Sequence, residues 1–101
     1  MKTQVIPKIE IVEETKTTLE PLYRVIIHND DVTPMGFVVH VLRAIFRLPP
    51  PDAVEVMMTA HLNGNALVQT LPRRDAESRI AKAHLAASLE NYPLHFSMEP
   101  E

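Results

Sequence analysis

Short apolar runs alternate along the chain with segments in which apolar residues recur every three or four positions. The runs "LYRVIIH" at 22–28, "ALVQTL" at 66–71 and "PLHFSM" at 93–98 are β-branched, aromatic or alternating, which favours strands. The intervening segments have the spacing of amphipathic helices, one after the first run, one near residue 55 and one after the second run. The predicted order is therefore β-α-α-β-α-β, an α+β fold with helices over one face of a small sheet.

Polar, glycine and proline residues set the predicted helix ends. Thr33 followed by Pro34 predicts an N-cap and the first position of the first helix. The proline run at 49–51 predicts its end, because a residue before proline is pushed out of the α region. A second helix is predicted from about Pro51 to Leu62, stopped in a left-handed turn by Gly64. The third predicted helix opens at Pro72 and carries the apolar stripe Ala76, Ile80, Ala83 and Ala87.

The first twenty residues differ in composition from the rest. They contain four glutamates and three lysines, no glycine and no aromatic residue, and their apolar residues follow no period. Such a segment predicts a flexible N-terminal extension at 1–20, followed by a core domain at 21–101.

Composition and charge exclude several classes of function. The 101 residues include no cysteine, which excludes disulfides and thiolate chemistry. The formal net charge of −3 gives no footprint for nucleic acid. No apolar run approaches the length of a membrane span, and the N-terminus lacks the apolar core of a secretory signal. We therefore expect a cytoplasmic protein that binds neither nucleic acid nor membranes.

A polar cluster lies between the first predicted strand and the first predicted helix. Asn29, Asp30 and Asp31 follow the strand directly. Asn and Asp commonly form turns and caps before helices, so the local sequence by itself favours a capping role. Adjacent carboxylates repel each other, however, unless a cation or several donors lie between them, and a binding site is therefore the alternative.

Three kinds of chemistry suit such a cluster. Oxygen ligands fit Mg²⁺ or Ca²⁺, although the spacing and glycine of an EF-hand are absent. A metal-dependent enzyme would use Asp30, Asp31 and His61, yet the chain has no nucleophile elbow and no glycine-rich phosphate loop. A primary ammonium, with three donors and one charge, requires a carboxylate, an amide oxygen and a neutral imidazole nitrogen. The residues alone leave these possibilities open.

The chain resembles the ClpS adaptor family over about residues 22–99. The resemblance rests on "YRVIIHNDDVTPMGFVVHVLRAIF", on "MMTAHLNG" and on the terminal "PL…ME" at 93–99. It implies a three-stranded antiparallel sheet with three helices, and an adaptor with no enzymatic activity, metal or cofactor. Such adaptors bind the free N-terminal residue of N-end rule substrates and deliver them to AAA+ Clp unfoldases. The implied partners are proteins with a hydrophobic N-terminal residue and the unfoldase N-domain, and we expect a monomer.

The resemblance also assigns roles to individual residues. Asn29, Asp31 and His61 would hold the α-amino group, and Asp30 would contact the peptide backbone just beyond. The first side chain, preferably Leu, Phe, Tyr or Trp, would enter a hydrophobic pocket. The residues that would line it are Thr33, Met35, Val38, Met57, Ala60 and Leu94. Helical spacing independently puts Met57, Ala60 and His61 on one face.

Several positions depart from the family pattern. Ala60 stands where a valine is usual, which predicts a roomier pocket that also admits Ile or Val. At the unfoldase-docking face, Arg74 stands where an acidic residue is usual and Arg79 keeps a basic one. An N-terminal residue binder that does not dock on a Clp unfoldase is therefore the alternative function. Gln69 replaces a usual glycine without an evident role. The remaining histidines are expected at the surface or at strand edges: His28, His40, His84 and His95.

Overall fold

The computed structural model describes residues 20–101, so the predicted extension at 1–20 lies outside the described residues except for Glu20. The strands are β1 (Leu22–His28), β2 (Asn65–Pro72) and β3 (His95–Pro100). The helices are α1 (Met35–Ala44), α2 (Pro50–Asn63) and α3 (Arg73–Leu89). The strands form one antiparallel sheet in the order β2-β1-β3. The predicted α+β class and the element order are confirmed.

Burial alternates along β1 as expected for a strand with one covered face. Val25 and Ile27 are almost completely buried, whereas Arg24 is exposed. On the covered side, Phe96 of β3 stacks on Phe46, with ring centroids 5.0 Å apart. The core thus lies between the central strand and the helices. Within residues 20–101, no helix is both long and apolar enough to cross a membrane.

The helix ends differ from the prediction at α1. Pro34, not Thr33, is the N-cap residue, and no side chain caps the helix. The helix also ends at Ala44, ahead of the proline run, because the chain turns left-handed at Arg47 (φ 60°). The Leu48 N–H then donates to the Leu42 carbonyl at 3.1 Å and closes this turn. The turn, rather than the prolines, stops the helix.

The other two helices follow the sequence pattern closely. Gly64 ends α2 with φ 95°, the left-handed conformation that glycine adopts at little cost. Pro72 ends β2 and serves as the N-cap residue of α3, so the strand passes directly into the helix. The predicted stripe of α3 is buried at Ala76, Ala83 and Ala87. These small side chains allow the helix to pack closely against the sheet.

Candidate functional site

A hollow of about 170 Å³ opens where the end of β1 meets α1 and α2. Every residue that the sequence assigned to amine, backbone or side-chain binding lines this hollow. These residues are Asn29, Asp30, Asp31, Thr33, Met35, Val38, Met57, Ala60, His61 and Leu94. The fold therefore brings the polar and the apolar group together around one cavity.

The backbone after β1 is fastened to the end of α2. The Asn29 N–H donates to the Gly64 carbonyl at 2.9 Å, and the Gly64 N–H donates to the Ala60 carbonyl at 2.8 Å. In the sheet, His28 pairs with Asn65, the first residue after this glycine. The last turn of α2, which carries His61, consequently lies beside the loop that carries the acidic cluster.

Asp30 organises this loop with its carboxylate. One oxygen, Oδ1, accepts the N–H groups of Val32 at 2.8 Å and Thr33 at 2.7 Å, and Oδ2 accepts the Thr33 hydroxyl at 2.9 Å. Partial burial opposes the charge, but these donors outweigh it and hold the pKa of the Asp30 carboxyl below its ordinary value. The turn-forming role that local sequence favours is thus correct for Asp30, and Thr33 donates to it instead of capping α1.

The other three polar residues of the rim remain open to a ligand. The side chains of Asn29, Asp31 and His61 are exposed. None of them forms a side-chain hydrogen bond with another residue of the described part of the chain. Together they offer an amide, a carboxylate and an imidazole next to the mouth of the hollow.

The walls of the hollow are apolar. Val38, Ala60 and Leu94 are almost fully buried, whereas Met57 is half-buried. Met35, at the first turn of α1, is 45% exposed and stands at the mouth. Leu94 reaches the hollow from the connection before β3, because the strand begins two residues later than the sequence predicted. A side chain that entered here would be surrounded by aliphatic groups and methionine.

The site offers little to a metal ion in the described part of the chain. Within residues 20–101, no group of three His, Cys, Asp or Glu side chains is placed to hold one. Both carboxylate oxygens of Asp30 already accept hydrogen bonds from the protein. The described residues therefore give the metal-dependent alternative no positive support.

Two lining residues, Ile27 and His28, were not assigned to the site from the sequence. Alternation along β1 places Ile27 on the covered face at the strand end, so the pattern could have identified it. His28 is half-buried and shares a hydrogen bond of 2.7 Å with Ser97 Oγ. No local pattern announces that contact, because Ser97 comes from the opposite end of the domain sequence.

The histidines outside the site only partly follow the prediction. His40 and His95 are exposed, as expected. His84 is a correction, because it is partly buried on α3 and its Nε2 accepts the Phe96 N–H at 3.0 Å. Phe96 lies on β3, an edge strand, and therefore has an N–H that β1 does not use. Helical spacing alone does not reveal this pairing.

The two residues predicted for unfoldase docking have different surroundings. Arg74 is exposed on the first turn of α3. Arg79 is half-buried, and its Nη1 donates to Gln69 Oε1 at 3.0 Å and, more weakly, to the Phe46 carbonyl at 3.4 Å. Gln69 thus has a role that its position in the sequence did not suggest. Arg79 ties α3 to β2 and to the end of α1.

Comparison with known proteins identifies relatives over most of the chain. The family model described as ATP-dependent Clp protease adaptor protein ClpS matches residues 18–97. The ClpS protein of Roseobacter denitrificans is 43% identical over 86 residues, which cover 85% of this chain and 76% of that protein. ClpS 1 of Bradyrhizobium diazoefficiens is 43% identical over 89 residues, 86% of this chain and 88% of that protein.

A solved structure shows the same fold. The structure of Agrobacterium tumefaciens ClpS2 bound to L-phenylalaninamide superposes with a TM-score of 0.78 at 41% identity, covering 81% of this chain and 99% of that one. The family is one of adaptors for the Clp protease and not of proteases. The chain belongs to the ClpS family of ATP-dependent Clp protease adaptors.

Proposed function

We propose that this protein binds the free N-terminal residue of cytoplasmic substrate proteins and delivers those proteins to a Clp unfoldase. One observation carries the proposal. An exposed amide, carboxylate and imidazole, from Asn29, Asp31 and His61, border the mouth of a hollow whose walls are apolar. Within a polypeptide backbone, only the first residue carries a free, charged amine on the same α-carbon as its side chain.

The polar rim suits a primary ammonium. The Asp31 carboxylate provides a charge-assisted acceptor, and the Asn29 amide oxygen and a neutral His61 nitrogen can accept the remaining N–H groups. Asp30 supports this arrangement by holding the loop, and we propose that it also contacts the peptide backbone beyond the first residue. Because Asp31 carries a free charge while Asp30 is engaged with the protein, the two carboxylates have separate tasks.

The apolar hollow suits a hydrophobic first side chain. Leu, Phe, Tyr and Trp fit its composition of aliphatic groups and methionine. The ligand of the Agrobacterium tumefaciens relative, L-phenylalaninamide, combines a free α-amine with an aromatic side chain. We propose that the same combination is recognised here, and that Ala60 leaves additional room beside the β-carbon of the ligand for Ile or Val.

The order of preference among first residues tests this assignment. In a titration of short peptides that differ only at residue one, we expect Leu and Phe to bind, Ile and Val to bind measurably, and Ser or Lys not to bind. Ala60→Val should weaken the binding of Ile-first and Val-first peptides relative to Leu-first peptides by about 1–3 kcal/mol, since it adds two methyl groups to the wall.

A matched control variant is Ala81→Val, which makes the same change at an exposed position of α3. It should leave the order of preference unchanged. If Ile peptides failed to bind to the parent protein, the wider pocket would be refuted while the recognition of Leu and Phe stood.

Delivery requires a contact with the unfoldase N-domain. We propose that this contact includes the start of α3, where Arg74 is exposed, while Arg79 shapes the surface through its bond to Gln69. The extension at 1–20 would accompany the substrate, and the domain at 21–101 would carry the binding site. The alternative, supported by the unusual basic residue at Arg74, is a binder of N-termini that does not dock on a Clp unfoldase.

Calorimetry with the N-domain of a Clp unfoldase separates these two functions. We expect binding that strengthens when Arg74→Glu restores the acidic residue usual at this position, by up to about 1 kcal/mol because the pair would be exposed, and this gain should shrink at high salt. Arg43→Glu, an equally exposed charge reversal on α1, is the matched control. A complete lack of heat with an N-domain that binds another ClpS protein would favour the alternative.

A further inference from the structure

Three histidine rings lie close together beside the site. His28 of β1 and His95 of β3 are paired in the sheet, with ring centroids 5.2 Å apart. His84 of α3 stacks on His95 at 5.3 Å with an interplanar angle of 12°, whereas the His28 and His95 rings are tilted by 34°. The three rings, called the histidine stack below, connect α3 to the last residue before the polar rim.

The contact between His84 and Phe96 fixes the protonation of one ring. A backbone N–H can donate to His84 Nε2 only while that nitrogen keeps its lone pair, so the ring is neutral with its proton on Nδ1. A proton on Nε2 would place two donors face to face and would leave the Phe96 N–H without an acceptor. The hydrogen bond that holds this edge of β3 to α3 therefore requires a neutral His84 ring.

The chain at the start of β3 also forms part of the wall of the binding hollow. Leu94, two residues before Phe96, is a buried wall of the hollow. On the opposite strand, His28 lines the hollow and directly precedes Asn29 at the rim. The histidine stack thus touches the segments that carry one apolar wall and one polar group of the site.

We propose that His84 is a positioning residue for the N-terminal residue site, holding the start of β3 in its binding geometry only while its own ring is uncharged. The expected effect on binding rests on the proposed function. The contact between His84 and Phe96 does not, because it can be measured without a ligand.

Few other charges act on the stack. Within residues 20–101, no ion pair involves any of its rings. Arg24 of β1 and Glu99 of β3 neutralise each other at 2.7 Å. On α3, Arg79 and Lys82 line a separate depression beside the end of α1, together with Asp75. The acidic loop after His28 contributes the Asp30 carboxylate, engaged with Val32 and Thr33, and Asp31, which is exposed.

The sign of the pH effect follows from the surroundings of His84. Burial lowers the pKa of His84 below its ordinary value of 6.5, the neighbouring His95 lowers it further, and together they outweigh the opposing backbone contribution of Phe96. The folded protein therefore binds fewer protons at this ring than the unfolded chain does. Its contribution to stability is complete above about pH 6.5 and is lost as the pH falls from there through the lowered pKa.

Binding of a Leu-first peptide at several pH values tests the proposal with His84→Gln. Glutamine can accept the Phe96 N–H through its amide oxygen but does not titrate, so we expect affinity close to the parent near pH 7.5. Between about pH 7.5 and 5.5 the parent should lose more affinity than the variant. If one proton is linked to binding, this extra loss is at most about tenfold in affinity per pH unit. Both proteins keep His61, so His61 does not distinguish them.

His40→Gln is the matched control, since His40 is exposed on α1 and lies outside the stack. It should follow the parent at every pH. Identical pH profiles for the parent and His84→Gln would overturn the proposal. So would a profile that is displaced equally at every pH, because that is the signature of a purely structural role.

Amide hydrogen exchange at Phe96 in the ligand-free parent is the second measurement. After correction for the intrinsic exchange rate, protection of this amide should fall as the pH is lowered through the imidazole range, and it should stay level in His84→Gln. Level protection in the parent would refute the inference even if peptides bind. If no peptide bound to any variant, the proposed function would fail, and this measurement would still decide the role of His84.

Discussion

Acetylation of the first residue should weaken the binding of a Leu-first peptide to this protein by at least about 30-fold. Acetylation removes the positive charge and most of the N–H donors that the Asn29, Asp31 and His61 side chains would accept. Removing one partner of a buried hydrogen-bonded charge pair at an interface costs about 2–5 kcal/mol, much of it from the acceptor left unpaired, and the bound peptide would cover this pair. Fluorescence anisotropy with matched free and acetylated peptides measures the ratio.

Two variants of the protein locate the effect. Asp31→Asn should weaken the binding of the free peptide much more than that of the acetylated peptide, because it removes the charge that would face the ammonium. The ratio between the two peptides should therefore shrink. Asp52→Asn makes the same chemical change at an exposed position in the first turn of α2 and should leave the ratio as it is. Equal binding of free and acetylated peptides would remove the basis of the proposed function.

Replacing Phe96 by alanine should destabilise the domain by about 3–5 kcal/mol. This side chain is 1% exposed and stacks on Phe46, and β3 contributes few other large residues to the core. Small domains have a total stability of only about 5–15 kcal/mol, so the variant would be close to unfolding at ordinary temperature. The midpoint of urea unfolding reports the loss, provided that the slope of the transition is unchanged.

Leu89→Ala is the appropriate control, because Leu89 is a large apolar residue that is 75% exposed at the end of α3. Its replacement should change stability by no more than about 0.5 kcal/mol. A similar loss of stability in both variants would mean that the burial of Phe96 does not determine how much this side chain stabilises the domain. A small loss at Phe96 alone would mean that Phe46 and the helices collapse into the vacated space.

Much of the fold was accessible from the sequence because its signals are local. The β-branched run at 22–28 specifies a strand, and Gly64 stops a helix, since only the chain within a few residues decides each outcome. The boundaries of α1 were less accessible. The left-handed turn at Arg47 has no glycine to announce it, and Asp30 takes the Thr33 hydroxyl that the pattern assigned to a cap.

The site shows the same division between local and long-range information. The sequence by itself determined which residue types are present, the acidic loop, the methionines and the histidine at helical spacing, because these are properties of short segments. The tertiary structure alone decided that the Asn29 N–H meets the Gly64 carbonyl, that Arg79 is tied to Gln69, and that three histidine rings come close together. Such contacts join segments far apart in the chain, and their partners are selected by sheet register and helix packing, which no local pattern encodes.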